Sequence, residues 1–211
     1  MRKWLAPLLI LITIVATAIV YPRLPTRVPV HWGANGQVDR YGSRFEGAWL
    51  LPLVMAGAWL LLRFLPRIDP WRANYEKFAD TYELFINSLV ALLLVMQGVM
   101  LATALGQRVA MYRVVPALVG VLFIILGNAL PRARPNWWFG IRTPWTLSSN
   151  RVWMKTHRVG GYLMTVAGLL MLLAAAVQSA WTLIVAFAAV LVAAFGSLVY
   201  SYLAWKQDTS P

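Results

Sequence analysis

Long uncharged stretches alternate along this chain with shorter charged segments. Reading between the flanking charges and prolines, we predict helices at about 4–21, 47–65, 84–106, 114–131, 159–177 and 182–204. Each is close to the roughly 20 residues that an α-helix needs to cross a bilayer. The last two come from one uncharged run, Val159 to Trp205, which we divide at a turn over Gln178–Trp181. The pattern predicts an all-α polytopic protein, a single membrane domain over residues 1–211.

Composition supports this class. The chain is 60% hydrophobic and only 12% charged, about half the charged share of a soluble domain. Its net charge of +12 would suggest nucleic acid in a soluble protein, but here we expect contacts with membrane lipids and no direct nucleic-acid binding. Residues 1–21 could instead be a signal peptide cleaved near Ala16–Ala18. The later spans favour an uncleaved first helix.

The distribution of Lys and Arg predicts the orientation. With the N-terminus inside, the inner segments carry 13 Lys and Arg residues and the outer loops carry 6. Positive residues favour the cytoplasmic side, so both termini are predicted to be cytoplasmic. Residues 22–46 then form an outer loop, and residues 132–158 form a basic inner loop.

The outer loop is rich in proline and glycine, which predicts an extended, polyproline-like start followed by turns. His31 and Asp39 could converge across a turn, either on a cation or in a hydrogen bond. Zinc usually takes at least three protein ligands, so we favour the hydrogen bond and predict no metal and no cofactor. The candidate recognition residues of this loop are His31, Trp32, Gly36, Asp39 and Arg40.

The inner loop begins with RPNWWFGIRTPWTL, a stretch too broken to cross a bilayer and too aromatic for an ordinary solvated loop. It could be an aromatic belt at the headgroups or an ordered re-entrant or docking element. We favour the second, because a belt needs no Gly-x-Arg-x-Pro core. Ser148 or Ser149 could cap a helix that begins near Asn150. The predicted functional surface comprises Asn136, Trp137, Trp138, Phe139, Gly140, Arg142, Thr143, Pro144 and Trp145.

Three acids precede the third span at helical spacing. Glu76, Asp80 and Glu83 lie on one face of a helix. This face could be solvated, or it could pair with the basic inner loop through Arg142, Arg151 or Lys155. We predict such a partner face.

Two further patterns concern packing. A Leu-Pro-Arg-x-x-Pro motif followed by Trp occurs at residues 65–71 and again at 130–137, which indicates an internal repeat or convergent helix-end chemistry. Small residues recur in spans five and six and predict a tight hairpin between these two helices. They are Gly161, Gly168 and Ala175, then Ala189, Ala193 and Ser197.

The sequence offers few residues suited to catalysis. The sequence has no Cys and no Walker, HExxH or GxSxG motif, and its seven acids lie in loops or at helix ends. Ion pathways are usually marked by ionisable groups inside the membrane. We therefore predict a non-enzymatic protein. The alternatives are a small-solute or peptide transporter or exporter, and an outer-face membrane enzyme using His31 and Asp39.

Residues 127–163, GNALPRARPNWWFGIRTPWTLSSNRVWMKTHRVGGYL, resemble the bacterial SdpI/YfhL family. Residues 24–44, LPTRVPVHWGANGQVDRYGSR, are similar to a domain of unknown function that precedes it in many members. The resemblance implies a protein of the bacterial plasma membrane that gives immunity to the secreted sporulation-delaying peptide toxin. It also implies signal transduction, in which a cognate repressor is held at the membrane. The outer loop would then face the toxin and the inner loop the repressor.

Overall fold

The computed structural model describes residues 2–33 and 35–208. Met1, Ala34 and residues 209–211 lie outside the described residues, and with them the two ends of the predicted domain 1–211 and one position of the predicted outer loop. The described helices are α1 (Arg2–Val20), α2 (Arg44–Phe64), α3 (Ala79–Ala104), α4 (Met111–Ala129), α5 (Pro144–Ser148), α6 (Asn150–Val177), α7 (Ala180–Leu191) and α8 (Ser197–Asp208).

Six helical segments of the described chain are long and apolar enough to cross a membrane, in agreement with the six predicted spans. The third span begins earlier than predicted, at Arg72. The fifth is extended at its start by the predicted capped helix, which begins at Asn150 because the Ser149 hydroxyl caps α6 by accepting from the Val152 N–H at 3.3 Å. The predicted turn after this span is also present. Gln178 adopts a left-handed conformation with φ 59°, and Ser179 caps α7.

The sixth span contains a change in helix type. A π-helical turn, Val192–Gly196, separates α7 from α8. Such turns widen a helix locally and are frequent at functional sites. This turn contributes Ala193 and Ala194 to the wall of a groove.

The chain divides into two compact units. The first unit comprises Met1–Leu62 and Ile86–Val115, and the second comprises Arg63–Phe85 and Pro116–Pro211.

In the first unit, the predicted outer loop contains a β-hairpin instead of a polyproline-like segment. Strand β1 (Arg27–Trp32) pairs antiparallel with β2 (Val38–Ser43), and Val28 lies opposite Gly42. The structure agrees with the predicted helical class, and the described residues add one small sheet. Alternating apolar residues explain it, because Val28 turns inward and is buried with Ala48 and Leu101.

Close packing fixes the hairpin and the helices of this unit. A Cβ atom on Gly47 would collide with the Val28 side chain, so glycine lets the strand lie directly on α2. The buried Gln97 side chain donates from Nε2 to the Ala48 carbonyl at 2.8 Å and to the Thr17 hydroxyl at 3.3 Å. One amide thus links α1, α2 and α3, as polar groups commonly do between membrane helices.

In the second unit, α4 and α6 meet through two reciprocal pairs of glycines, seven residues apart on each helix. A Cβ atom on Gly161 would lie near the Gly127 carbonyl oxygen, and one on Gly168 would lie 2.6 Å from the Gly120 carbonyl oxygen. The predicted hairpin of spans five and six is present, because Met171 and Ala174 of α6 pack with Ala186 of α7. Gly161 and Gly168, however, do not face span six. Their partner is span four, since helix periodicity shows a small-residue face but not its neighbour.

Gly161→Ala tests this packing. Alanine normally favours a helix over glycine by about 1 kcal/mol, yet here the methyl group has no room. We expect a net destabilisation of about 1–3 kcal/mol, measured as the unfolding of purified protein in mixed micelles.

Gly98→Ala is the matched control, because a Cβ atom on Gly98 meets nothing within 4 Å. This variant should be as stable as the parent or slightly more stable. Equal stability of the two variants would contradict the role assigned to the glycine pairs.

Candidate functional site

The segment between α4 and α6, residues 132–149, is here called the aromatic loop. Its turn is organised by Asn136, which is fully buried. The Asn136 Nδ2 group donates to the Arg134 and Phe139 carbonyls at 2.8 and 2.9 Å. Its Oδ1 accepts from the N–H groups of Trp138 at 2.9 Å and Phe139 at 2.6 Å. A single amide therefore satisfies backbone groups on both sides of the turn.

A buried carboxylate joins this turn to the segment that follows α2. Asp69 is 3% exposed and accepts from the Trp71 N–H at 2.7 Å, the Tyr75 hydroxyl at 2.9 Å and the Trp137 N–H at 2.9 Å. The Trp71 and Trp137 rings also lie 6.0 Å apart. Asp69 and Tyr75 are not among the predicted site residues, although the repeated Leu-Pro-Arg-x-x-Pro motif occurs in the two segments that they connect.

Aromatic packing holds the loop from the other side. Phe139 is buried and stacks on Phe78, with ring centroids 6.2 Å apart. Phe85 and Tyr82 contact the same ring at 5.0 and 6.1 Å. The aromatic residues around the start of α3 therefore form the binding pocket for one side chain of the loop, and edge-to-face geometries of this kind add to the burial energy.

Gly140 and His157 fit together as a pair. Gly140 has φ 106°, and a Cβ atom there would collide with His157 Nε2. That nitrogen accepts from the Ile141 N–H at 3.0 Å, and Nδ1 donates to the Trp153 carbonyl at 2.8 Å. Because both ring nitrogens of the buried His157 are used, the partners assign its tautomer. Its role is structural.

The end of the loop is fixed by a capping box. Thr143 accepts from the Thr146 N–H at 3.2 Å, and Thr146 accepts from the Thr143 N–H at 2.9 Å. Pro144 occupies the first turn of α5, where its missing N–H costs little. The Thr143 hydroxyl also donates to Ser201 at 3.0 Å, and this bond ties the loop to α8.

The residues predicted as one functional surface therefore separate into two sets. One set shapes the loop through buried contacts or backbone geometry, and the other presents side chains at the surface. Trp137 and Trp138 are 46% and 40% exposed, and Arg142 is exposed while it donates to the Trp137 carbonyl. The shaping set comprises Asn136, Phe139, Gly140, Thr143 and Pro144, and the half-buried Trp145 packs on Tyr202 at 5.2 Å.

The predicted ion pairs between the acidic face and the basic inner loop differ from the structure at Glu83 and Arg151. Glu83 pairs with Arg63, with Nη2 and Oε2 3.1 Å apart, because it lies buried beside the end of α2. Arg151 lies 3.4 Å from Asp208 at the end of α8, and Asp208 also accepts from Ser149 at 2.9 Å. The other acids of the predicted face, Glu76 and Asp80, are exposed.

In the first unit, the hairpin brings His31 and Asp39 together. Nδ1 of His31 lies 2.6 Å from an Asp39 oxygen, so the hydrogen bond favoured from the sequence is present across the two strands. Both side chains are exposed. Over residues 2–33 and 35–208, the structure contains no group of three or more His, Cys, Asp or Glu side chains arranged to hold a metal ion.

A cavity of about 320 Å³ lies beneath this hairpin. Its polar edge is formed by His31 and by Arg40, whose guanidinium contacts Glu46 at 2.7 Å. Its interior is apolar and rich in methionine. The lining comprises Val30, His31, Trp32, Arg40, Glu46, Leu50, Leu51, Met96, Met100, Met111 and Val115. Of the predicted recognition residues, Gly36 instead packs on Tyr112 with φ 74°, and Asp39 positions His31.

Comparisons with known proteins agree with this architecture. Residues 132–201 match the model of the SdpI/YfhL protein family, and residues 8–56 match the model of DUF1648, a domain of unknown function. Together with the apolar helices, these matches define a multi-pass helical membrane protein. The chain is an SdpI-like membrane protein, and the resemblance predicted from its sequence is confirmed.

Two relatives illustrate the range of similarity. The Immunity protein SdpI of Bacillus subtilis (strain 168) is 25% identical over 200 residues, which cover 95% of this chain and 94% of that protein. An uncharacterized protein of Archaeoglobus fulgidus is 33% identical over 85 residues, 40% of each chain. No solved structure matches this chain.

Asn136→Ala tests the construction of the aromatic loop. The substitution removes the amide and leaves buried backbone groups without partners, at a cost of about 1–3 kcal/mol each. We expect the loop to open more often, so that trypsin cleaves after Arg132 or Arg142 about tenfold faster or more. The cleavage rate in detergent micelles is the measurement.

Asn150→Ala is the control, because Asn150 is exposed at the start of α6. Its cleavage rate should equal that of the parent protein. Equal rates for Asn136→Ala and the parent would show that the amide is not needed to hold the loop.

Proposed function

We propose that this protein gives its host immunity to a secreted peptide toxin. The observation that carries the proposal is the methionine-rich cavity under the hairpin, in a chain similar along 95% of its length to a protein called an immunity protein. The proposed role is non-enzymatic: the membrane protein binds the toxin and thereby keeps it from acting on the bilayer.

The cavity has chemistry suited to an apolar peptide segment. Met96, Met100 and Met111 are flexible and polarisable, and methionine-rich surfaces adapt to irregular apolar partners. Trp32 adds an amphipathic aromatic wall, the type of residue that often dominates binding energy. At the edge, the Arg40 charge is already compensated by Glu46, so the site favours neutral apolar side chains over charged ones.

The proposed topology places this cavity where a secreted peptide arrives. Lys and Arg are concentrated on the segments of the predicted inner side, 13 against 6, which favours cytoplasmic termini in a bacterial plasma membrane. The hairpin would then face outward and the aromatic loop would face the cytoplasm.

The aromatic loop is proposed as the inner interaction surface. Trp137 and Trp138 are exposed next to the exposed cations Arg134 and Arg142. Tryptophan and arginine are enriched at interaction hot spots. The surface therefore suits a cytoplasmic protein with an acidic and apolar patch, and we propose a transcriptional repressor held at the membrane as that partner.

The first test is expression of the chain in bacteria that are sensitive to the sporulation-delaying peptide toxin. We expect cells carrying the protein to survive toxin concentrations that kill cells carrying an empty vector. Immunoblotting of isolated membranes checks insertion. Death of cells with a correctly inserted protein would refute immunity to this toxin.

Trp32→Ala tests the cavity as the toxin site. We expect the protective effect to fall by about tenfold or more in toxin concentration, as for removal of a hot-spot tryptophan. Tyr41→Ala is the matched control, because Tyr41 is an exposed hairpin aromatic outside the cavity lining. Full protection by Trp32→Ala at normal membrane levels would place the toxin site elsewhere.

A further inference from the structure

The second unit contains a groove of about 400 Å³, and among its lining residues the proposed function uses Arg142 alone. It begins at the aromatic loop and lies between α4, α6 and the sixth span. The lining comprises Phe123, Leu130, Gly140, Ile141, Arg142, Gly160, Met164, Val190, Ala193, Ala194, Ser197 and Leu198.

The lining residues show the direction of the long axis of the groove. On each of its three helical walls, the lining runs from the loop toward the middle of the span: from Leu130 to Phe123, from Gly160 to Met164, and from Leu198 to Val190. The last step covers about 12 Å at the helical rise of 1.5 Å per residue. The groove therefore runs along the helices instead of across them.

Local backbone structure creates the space. The π turn Val192–Gly196 contributes the small residues Ala193 and Ala194 to the wall, and Gly160 of α6 contributes no side chain to it. A Cβ atom on Gly160 would meet Ile141 and lie 3.0 Å from Ser197 Oγ. A wider helical turn faced by small residues leaves an apolar channel that larger side chains would fill.

Charge is confined to the loop end. Of the described residues in the lining, Arg142 is the charged one, and it lies beside Gly140 and Ile141 at the loop end of the groove. Its Nη1 donates to the Trp137 carbonyl, which fixes the side chain on the loop and uses one of five N–H donors. The exposed guanidinium can still donate to an anion.

We propose that this groove binds an anionic phospholipid of the surrounding membrane, with the phosphate on Arg142 and one acyl chain between α4, α6 and the sixth span. A cation at one end and an apolar wall extending about 12 Å toward the span middle match the layout of such a lipid. A guanidinium recognises phosphate through paired N–H donors. A bilayer also supplies this ligand at high local concentration.

Native mass spectrometry tests the proposal directly. The purified full-length protein is equilibrated with equimolar phosphatidylglycerol and phosphatidylcholine of identical acyl chains, and the lipids that remain bound are counted. We expect preferential retention of phosphatidylglycerol. Arg142→Gln should lower this retention by about tenfold, as expected for loss of a charge-assisted hydrogen bond, and Arg142→Lys should restore part of it.

Two matched pairs of variants distinguish loss of the groove site from general effects on lipid retention. Ala194→Phe fills the groove and should reduce retention of both lipids, whereas Ala188→Phe, at an exposed position of α7 outside the lining, should not. Arg134→Gln removes a neighbouring exposed cation outside the groove and should retain phosphatidylglycerol like the parent.

Equal retention of the two lipids by the parent protein would overturn the proposal. An equal loss of phosphatidylglycerol in Arg134→Gln and Arg142→Gln would also overturn it, because that result indicates non-specific attraction to a basic loop. Inorganic phosphate added in excess should not displace the lipid, since the acyl chain contributes to binding. Displacement by phosphate alone would assign the site to free anions.

Discussion

Buried backbone N–H and C=O groups outside a helix need partners, and the aromatic loop depends on this requirement. Leaving such groups unpaired in an apolar setting costs several kcal/mol each. The N–H groups of residues 137–139 and 141 are taken by Asp69, Asn136 and His157. These three side chains come from different parts of the second unit. The loop can therefore hold its non-helical shape only when those parts are folded together.

The need to pair buried polar groups also explains the positions of a small set of polar residues. A chain with 12% charged residues has few groups for catalysis, and several of the described ones are committed to structure. Glu83 compensates Arg63, Asp208 joins the end of α8 to the start of α6, and Gln97 links three helices. Buried polar contacts of this kind position the helix ends, and they leave the exposed tryptophans and arginines as the groups that can meet a partner.

The same need for partners explains which features of the structure could not be predicted from the sequence. Span positions were predictable because hydrophobic length and flanking prolines act locally. The Ser149 cap and the His31–Asp39 bond were also predictable, because both depend on short sequence separations. Asp69 accepts from the Trp137 N–H across 68 residues, and Asn136 accepts from the Tyr75 hydroxyl across 61 residues; no local pattern specifies which of these groups meet. The glycine pairs show the same limit, since periodicity gives a face and not its neighbour.

The two concave sites differ in one electrostatic feature, and this difference predicts different ligands. At the hairpin cavity, within the first unit and largely within the DUF1648 match, Arg40 is neutralised by Glu46. At the groove, within the second unit, Arg142 donates to a backbone carbonyl, which orients the guanidinium and leaves its positive charge in place. An uncharged apolar segment therefore loses little hydration free energy when it enters the hairpin cavity. An anion gains from the groove, because a cation beside an apolar channel favours a ligand that combines an anionic group with an apolar chain.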